Sequence, residues 1–254
     1  MHGREDSDTS VDYDMRFRRF TLDDCHQAKG VTVVIDVIRA FSTAAYSFAL
    51  GAKEILLTDS VPEAFELKEA HPGARIMGEV GGVRVEGFDY GNSPSDLQYE
   101  NLAGCTLIQR TSAGTQGMVR SSGATTLLGG SFVCADATTR YLKRLAPEEV
   151  NLVVTGVGPD RDGDEDVALA DYLTLSLRSA RPPDASPFLD RVRESAVGRL
   201  LADPNRPEFP IKDLACVAAL DHFGFALLVA PRDGVLVMRA SRCGPSLSNS
   251  RDDT

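Results

Sequence analysis

The chain has 254 residues, 43% of them apolar, and its 37 acidic against 27 basic side chains give a net charge of −10. This length and apolar content suffice for a full core, as one α/β domain or two closely packed lobes, and exclude general disorder. The negative charge argues against binding nucleic acid through phosphate neutralisation, and a small acidic substrate would need local positive charge or a metal ion.

The cysteines and the amino-terminal sequence indicate where the protein works. The five cysteines are widely spread, with no CxxC pair and no His at zinc-ligand spacing, which favours core thiols in a reducing cytosol. The first thirty residues carry Asp and Arg throughout and lack an apolar run, so we find neither a signal peptide nor a membrane span. The sequence predicts a cytoplasmic protein with no membrane partner.

The first elements follow an α/β rhythm. Residues 1–14 are polar and acidic and are predicted to be a disordered leader, whereas residues 15–240 hold the regular elements. Met15–Phe20 alternates apolar residues with Arg, as an edge strand does, and the apolar run Val31–Asp36 predicts the first central strand. Ser60 and Glu63 have the spacing of a capping box at the start of a helix.

Strands and helices then alternate along the chain. Further strands are predicted at Glu54–Thr58, Ala74–Gly78, Thr106–Gln109, Thr125–Gly129 and Asn151–Thr155, with helical stripes between them. This order predicts a three-layer α/β fold, with a largely parallel or mixed sheet and helices on both faces.

The carboxyl-terminal part is predicted from breaks and turns. Helices are expected over Leu189–Leu200 and Ile211–Leu220, and the turn Pro231–Gly234 predicts a C-terminal hairpin. Residues 241–254 are predicted to be a disordered tail.

A glycine-rich stretch, Gly78–Pro94, interrupts this rhythm. Glycines let backbone amides approach a ligand, while Glu79, Glu86 and Asp89 could hold a hard cation or transfer a proton. The alternative is a twisted hairpin whose glycines serve turns alone.

Unusual polar residues follow the predicted strands at their carboxyl ends. They are Asp36 with Arg39, Glu79, the loop Thr111–Thr115, Ser131 and the pair Glu165–Asp166. In a parallel sheet, ligands bind at this edge because the loops there meet helix N-termini. We expect these residues to converge on one site.

Each of these residues also has a structural alternative. Asp36 suits Mg²⁺, or it caps the following helix; Arg39 suits a phosphate, or it pairs with Asp36. The hydroxyls and glycine amide of Thr111–Thr115 suit phosphate oxygens, although turns have the same composition. Asp166 is a candidate metal ligand and Glu165 a proton carrier, or both acids simply favour a helix N-terminus.

Familiar phosphate-handling and hydrolase motifs are missing. No GxxxxGK[ST] sequence occurs, which argues against a Walker-type nucleotide site. The sequence GxSxG is also absent, which argues against a lipase-like hydrolase. Asp36-Val37-Ile38 lacks the second acid expected of haloacid-dehalogenase-type phosphatases.

Several of these segments together resemble the 2-phosphosulfolactate phosphatase family. The similar sequences are VVIDVIRAFST, GEVGGVRVEGFDYGNSP, TSAGT, GSFVCADA and GDEDVALADYL, in that order. The resemblance covers roughly residues 15–240, and GFDYGNSP is its most specific part.

The resemblance implies a Mg²⁺-dependent phosphatase that converts 2-phosphosulfolactate to sulfolactate and phosphate, a step toward coenzyme M. The family's motif acids match Asp36, Glu79, Asp89 and Asp166, and its arginine matches Arg39. We expect Asp36, Glu79 and Asp166 to hold the metal, Arg39 to bind phosphate oxygens, and Asp89 or Glu165 to position water. Asn92 and Ser93 would orient the organic part; Thr111, Ser112, Gly114, Thr115 and Ser131 complete the expected substrate site. A homodimer is expected by family likeness only.

Two positions depart from the family's pattern. Ala113 stands where the family usually has Asn, and Val80 follows Glu79 where a basic residue is common. Both lie beside the expected ligand, so two alternatives stay open. One is a phosphatase for another phosphorylated acid, sugar or nucleoside, and the other is a metabolite-binding homologue without turnover.

Overall fold

The computed structural model describes residues 15–158 and 161–242. Nine strands lie in this part of the chain: β1 (Arg16–Phe20), β2 (Val31–Ile35), β3 (Glu54–Thr58), β4 (Arg75–Gly78), β5 (Thr106–Arg110), β6 (Thr126–Gly130), β7 (Glu149–Val154), β8 (Phe225–Arg232) and β9 (Val235–Arg242). The predicted leader and the tail from residue 243 lie outside the described residues, so those two predictions stay open.

The same part of the chain contains nine α-helices. They are α1 (Ala40–Ala49), α2 (Val61–Ala70), α3 (Pro94–Leu97), α4 (Gly114–Arg120), α5 (Ala135–Leu145), α6 (Asp164–Arg178), α7 (Ser186–Glu194), α8 (Ala196–Leu201) and α9 (Lys212–Val217). The Ser60 side chain caps α2, because its Oγ accepts the Glu63 amide at 3.4 Å, as the capping-box spacing predicts.

All nine strands form one mixed sheet in the order β1-β7-β2-β6-β8-β9-β3-β5-β4. The first four strands of this order are parallel to one another, and so are the last three. The hairpin β8-β9 lies between these groups and pairs antiparallel with β6 on one side and β3 on the other. The predicted α/β class and C-terminal hairpin are confirmed, and the hairpin occupies the middle of the sheet.

Alternate residues of the central strands enter different cores, which shows that both faces of the sheet are covered. Val34 of β2 packs in one buried cluster with Phe41 of α1, whereas Val33 packs in a second cluster with Leu169 and Leu173 of α6. Because successive strand side chains point to opposite faces, helices must lie on each side. This is the expected three-layer arrangement.

An ion-paired triad fastens the hairpin to β3. The Glu54 carboxylate of β3 accepts from Arg232 of β8 at 2.7 and 2.8 Å, and from Arg239 of β9 at 2.6 Å. The Glu54 side chain is only 5% exposed, so these contacts compensate a buried charge.

Three local features differ from the prediction. The helix expected over Leu189–Leu200 is two helices, because Ser195 leaves α7 and caps α8 by accepting the Gly198 amide at 2.9 Å. The short helix α3 was not predicted. β9 continues through Arg242, two residues into the predicted tail.

The described cysteines agree with the prediction of core thiols. Cys25, Cys134 and Cys216 are buried, and these three and Cys105 are free thiols. Across the described ranges, we find no helix with the length and apolar character needed to cross a bilayer.

Candidate active site

A cavity of about 230 Å³ lies where residues that follow β2, β4, β5 and β7 meet. Its charged lining includes the predicted site residues Asp36, Arg39, Glu79, Glu165 and Asp166. Residues far apart in the chain therefore converge, as the rule for strand ends predicts.

Asp36 follows β2 and is buried at the start of α1. Its Oδ1 accepts the Ala40 amide at 3.0 Å, so it satisfies one amide of the first turn, although the N-cap position itself is occupied by Arg39 and not by Asp36. A Cβ on Gly114 would lie 2.8 Å from Oδ2, which explains why glycine stands in the facing loop. Burial raises the pKa of Asp36 to about 6, and the nearby Glu79 and Glu165 charges act in the same direction.

Asp166 lies in the first turn of α6 and faces the same cavity. Its Oδ1 accepts the Val37 amide at 2.8 Å, and its Oδ2 accepts the Gly156 amide at 2.8 Å. Burial raises the pKa of Asp166 well above its ordinary range, and the charges of Glu165 and Asp36 raise it further. Asp166 thus connects α6 to the residues after β2 and β7.

Glu165 is the least satisfied acid of this group. It is 2% exposed, and its buried Oε2 has no hydrogen-bond partner among residues 15–158 and 161–242. Burial raises the pKa of Glu165, with the charges of Asp162 and Asp164 as further causes. A buried carboxylate oxygen without a donor is costly, so a ligand or proton is expected there.

Glu79 connects the glycine-rich stretch to the loop after β5. Its Oε1 accepts the Ser112 amide at 2.6 Å, and its Oε2 accepts the Ser112 hydroxyl at 3.0 Å and the Gly82 amide at 2.5 Å. Gly82 needs to be glycine, because its φ is +87° and a Cβ would lie 2.2 Å from the Phe209 ring. Val80 and Val83 also exchange backbone hydrogen bonds of 2.9 and 3.2 Å, so Gly81 and Gly82 form a tight hairpin turn, in which Gly82 also contacts the Glu79 side chain.

Arg39 is held by an acid that the sequence analysis did not identify. Its Nη1 donates to Asp213 at 2.9 Å and to the Glu208 carbonyl at 3.1 Å, and its Nη2 donates to the Gly82 carbonyl at 3.3 Å. The ion pair is buried, with side-chain exposures of 4% and 0%. The alternative of a surface ion pair with Asp36 is therefore wrong, because the pair is buried and its acid is Asp213.

The remaining polar residues of the glycine-rich stretch divide between two places. Asn92 lines the cavity and is 6% exposed, and its Oδ1 has no hydrogen-bond partner among the described residues. Ser93 caps α3 and donates to Asp213 at 2.8 Å. Asp89 lies outside the cavity lining and is bound to Lys68 at 2.7 Å and to the Ile76 amide at 2.7 Å.

Several predicted substrate ligands serve the structure instead. Thr111 and Thr115 bind each other, because the Thr111 amide donates to the Thr115 hydroxyl at 2.8 Å and the Thr115 amide donates to the Thr111 hydroxyl at 3.0 Å. The Ser131 hydroxyl lies 2.7 Å from that of Ser42. Of the loop Thr111–Thr115, Ser112 and Ala113 line the cavity, while Gly114 lies directly against Asp36.

The sequence analysis missed other residues of the cavity wall. These are the cation Arg161, the Thr155-Gly156 corner after β7, and the apolar Ile38, Val197, Leu200 and Phe209. Arg161 could have been found as a basic residue beside the predicted acids. The apolar residues give no signal, because a lone Val, Leu or Phe is typical of any core.

The acids of the cavity fit a divalent cation in their chemistry. Within the described ranges, no three His, Cys, Asp or Glu side chains are already gathered into a metal cluster. However, the Glu165 charge raises the pKa of both Asp36 and Asp166 in this buried site, and Glu165 Oε2 lacks a donor among the described residues. Oxygen ligands of this kind suit Mg²⁺, which keeps several waters and needs only a few carboxylates.

Comparisons with known proteins identify the family. The family model described as 2-phosphosulpholactate phosphatase matches residues 20–196. This segment includes Asp36, Glu79 and Asp166. The chain belongs to the 2-phosphosulfolactate phosphatase family.

Similar proteins of this phosphatase family come from several bacteria. A probable 2-phosphosulfolactate phosphatase of Bacillus subtilis is 34% identical over 184 residues, covering 72% of this chain and 80% of the relative. One from Carboxydothermus hydrogenoformans is 38% identical over 177 residues, covering 69% and 70%. A third, from Deinococcus radiodurans, is 35% identical over 164 residues, covering 63% and 68%.

Proposed function

We propose that this protein hydrolyses the phosphate monoester of 2-phosphosulfolactate, giving sulfolactate and phosphate, in a Mg²⁺-dependent reaction. The observation that carries the proposal is the convergence of Asp36, Glu165 and Asp166 with Arg39 in one cavity of a chain from this family. Carboxylates and a guanidinium around one cavity are the groups that phosphoryl transfer requires.

Arg39 is suited to hold the phosphoryl group. Its contacts to Asp213, Glu208 and Gly82 use three of its five N–H groups, which leaves Nε–H and one Nη2–H for a ligand. Phe209 also lies under the guanidinium, 4.8 Å from Arg39 Cζ to the ring centroid. A guanidinium fixed in this way can bind two phosphate oxygens without first losing side-chain freedom.

Asp36 and Asp166 would hold the magnesium ion, with Glu165 beside them. When bound, the ion would withdraw electron density from the phosphoryl oxygens and would lower the pKa of a water molecule that it holds. Glu79 also has a structural role, because its oxygens accept hydrogen bonds from Ser112 and Gly82 and so position the loop after β5. The oxygens of Asp166 likewise accept the Val37 and Gly156 amides, so Glu79 stays a candidate ligand beside Asp166.

Glu165 is the better of the two candidates for orienting the attacking water. Its Oε2 is free of hydrogen bonds within the described residues, whereas Asp89 is engaged with Lys68 and the Ile76 amide. The raised pKa of Glu165 makes its carboxylate a stronger base, which suits acceptance of the proton from water at Oε2.

Two polar groups remain for the organic part of the substrate. Asn92 has a buried Oδ1 that accepts no hydrogen bond, and Arg161 brings an exposed cation to the cavity lining. An anionic carboxylate or sulfonate would be attracted to Arg161. Ser93 acts through Asp213 in this arrangement, because its hydroxyl is bound there.

The test is phosphate release from 2-phosphosulfolactate by the purified protein, with Mg²⁺ and with a chelator. We expect release that depends on Mg²⁺ and falls when Glu165→Gln removes the base. If folded protein with Mg²⁺ releases no phosphate from this ester or from a panel of other phosphate monoesters, the enzymatic proposal is wrong. Ligand-dependent thermal stabilisation without release would instead favour a metabolite-binding protein.

Three further attributes stay predictions that go with this function. A place on the route to coenzyme M follows from the substrate that the relatives' names give. A cytoplasmic location is supported by the free cysteines among the described residues. A homodimer follows from family likeness only, and a nucleic-acid partner is disfavoured by the net charge of −10.

A further inference from the structure

Asp213 is a buried acid that lies behind the cavity and does not line it. It belongs to α9 and is 0% exposed. Its Oδ2 accepts Arg39 Nη1 at 2.9 Å, and its Oδ1 accepts the Ser93 hydroxyl at 2.8 Å and the Ser95 amide at 3.0 Å. Because it is closed off from solvent and from the cavity, Asp213 can act on a ligand only through a residue that it holds.

This carboxylate joins three segments that are distant in the sequence. Arg39 occupies the N-cap position of α1, and Ser93 caps α3. The third segment, α9, lies beyond residue 196, where the family match ends. Since each oxygen of Asp213 binds a different segment, α3 and α9 together set the position of the Arg39 guanidinium.

Arg39 has other acids close by that would attract it in the absence of Asp213. The carboxylates that line the same cavity as Arg39 belong to Asp36, Glu79, Glu165 and Asp166. In a buried site, an unpaired guanidinium is drawn strongly to a neighbouring carboxylate. Such a pair would occupy N–H groups that a phosphate needs and an oxygen that a cation needs. The buried ion pair with Asp213 keeps both sets of groups available.

The remaining contacts of Arg39 cannot replace this acid. The Glu208 and Gly82 carbonyls accept from it at 3.1 and 3.3 Å, and the centroid of the Phe209 ring lies 4.8 Å from Cζ. A carbonyl or a ring has no net charge, so it directs the guanidinium without neutralising it. Within residues 15–158 and 161–242, Arg39 forms its ion pair with Asp213 alone.

We infer that Asp213 is a positioning residue of the proposed reaction, which directs the Arg39 guanidinium to the phosphoryl group and holds it away from the cavity acids. Ser93 and Ser95 contribute through Asp213, because they fix its other oxygen. This inference rests on the proposed function, in which Arg39 binds the phosphoryl group. The alternative is an ion pair that only stabilises the packing of α9.

The experiment measures phosphate affinity and turnover of an Asp213→Asn variant in the presence of Mg²⁺. The Asn amide oxygen can still accept from Ser93 and Ser95, but its amide nitrogen then faces Arg39 Nη1, and two donors repel each other. We expect the Kd for inorganic phosphate to rise about tenfold and kcat/KM for 2-phosphosulfolactate to fall about a hundredfold.

An Arg39→Gln background shows whether Asp213 acts through Arg39. This variant lacks the guanidinium, so adding Asp213→Asn should change the phosphate Kd and kcat/KM by less than about twofold. A merely structural acid would have the same effect in both backgrounds. If Asp213→Asn weakens phosphate binding as much in Arg39→Gln as in the unmodified protein, the inference is overturned.

Glu54→Gln is the matched control, because Glu54 is also a buried acid paired with arginine and lies outside the cavity lining. It should lower stability and leave the phosphate Kd and kcat/KM unchanged. Equal losses of phosphate affinity in Glu54→Gln and Asp213→Asn would trace the effect to general destabilisation and overturn the inference.

Ser93→Ala provides the test if Asp213→Asn does not fold. It removes one donor from Asp213 Oδ1 and keeps the acid, so the phosphate Kd should rise by about twofold to threefold. An unchanged phosphate Kd in the folded Ser93→Ala variant would overturn the positioning role.

The outcomes separate this inference from the proposed function. A folded Asp213→Asn variant with the phosphate Kd and kcat/KM of the unmodified protein overturns the positioning role and leaves the phosphatase proposal standing. Unmodified protein that binds phosphate but hydrolyses no monoester overturns the phosphatase proposal, and the phosphate Kd still decides the role of Asp213. Folded protein that neither binds nor releases phosphate overturns both.

Discussion

Two groups of buried acids in this molecule have opposite electrostatics. Glu54, between β3 and the hairpin, contacts two arginines, and the hydrogen bond from Arg232 lowers the pKa of Glu54 to about 2. In the cavity, burial raises the pKa of Asp36 and Asp166 instead. A buried carboxylate that has its cations stabilises the fold, whereas one that lacks them disfavours folding and is available for chemistry.

The largest effect should come from removing a cavity charge. Asp36→Asn should lower kcat for phosphate release by on the order of a hundredfold to a thousandfold, because a carboxylate beside the phosphoryl site is lost. The fold should persist, since the Asn amide oxygen can still accept the Ala40 amide. Phosphate release and the thermal unfolding midpoint measure both quantities, with Asp23→Asn, at an exposed acid, as the control. Loss of folding would show that Asp36 acts mainly as a cap.

Removal of the Glu54 charge should affect stability instead of activity. Glu54→Gln should lower the free energy of unfolding by about 2–3 kcal/mol, because two arginines lose a buried anionic partner. Denaturant titration measures this loss, and kcat of the folded variant should be unchanged. Glu66→Gln, on the exposed face of α2, controls for the loss of a carboxylate. An unchanged unfolding midpoint would mean that the triad does not hold the hairpin.

The two groups should also respond to pH with opposite signs. Glu54 has a folded-state pKa of about 2, below its ordinary 4.5. Its contribution to the free energy of unfolding is therefore complete above pH 4.5 and is lost as pH falls toward 2. Asp36 has a folded-state pKa of about 6, above its ordinary 3.8. Its contribution to the free energy of unfolding is therefore present below pH 3.8 and is lost as pH rises through 6.

Denaturant titrations of metal-free protein test both slopes. Between pH 4 and 6, the free energy of unfolding of the unmodified protein should fall by about 1–2 kcal/mol more than that of Asp36→Asn, because Asn does not titrate. Below pH 4.5, Glu54→Gln should approach the stability of the unmodified protein. Parallel pH profiles for all three proteins would contradict the comparison.

The smallest effect should come from one arginine of the triad. Arg239→Gln should lower the free energy of unfolding by about 0.5–1 kcal/mol, because the Arg239 side chain is 54% exposed and Arg232 still binds Glu54. Added salt should reduce the difference between the two proteins. A loss as large as that of Glu54→Gln would mean that the two arginines act only as a pair.

Much of the fold and the core of the candidate site could be predicted from local sequence. β3 has the predicted bounds, because an apolar run between turn residues specifies a buried strand. Asp36, Glu79 and Asp166 share a cavity because each follows a strand at its carboxyl end. These features can be predicted from short segments because they do not depend on contacts with residues distant in the sequence.

The features that were not predicted depend on contacts across the chain. The Arg39–Asp213 ion pair joins residues 174 positions apart, and nothing near Asp213 distinguishes it from a surface acid. The hairpin β8-β9 has a clear turn signal, but its place inside the sheet is decided by pairing with β6 and β3. Thr111 and Thr115 have the composition of a phosphate loop and instead satisfy each other.

The central place of the hairpin has a consequence for synthesis of the protein. The strands of both parallel groups leave the ribosome before residues 225–242, and until then the inner edges of β6 and β3 have no partner. Unpaired edges of apolar strands are prone to join other nascent chains. Closure of the sheet must therefore wait for these late residues, and a chaperone that shields strand edges should raise the yield of folded protein.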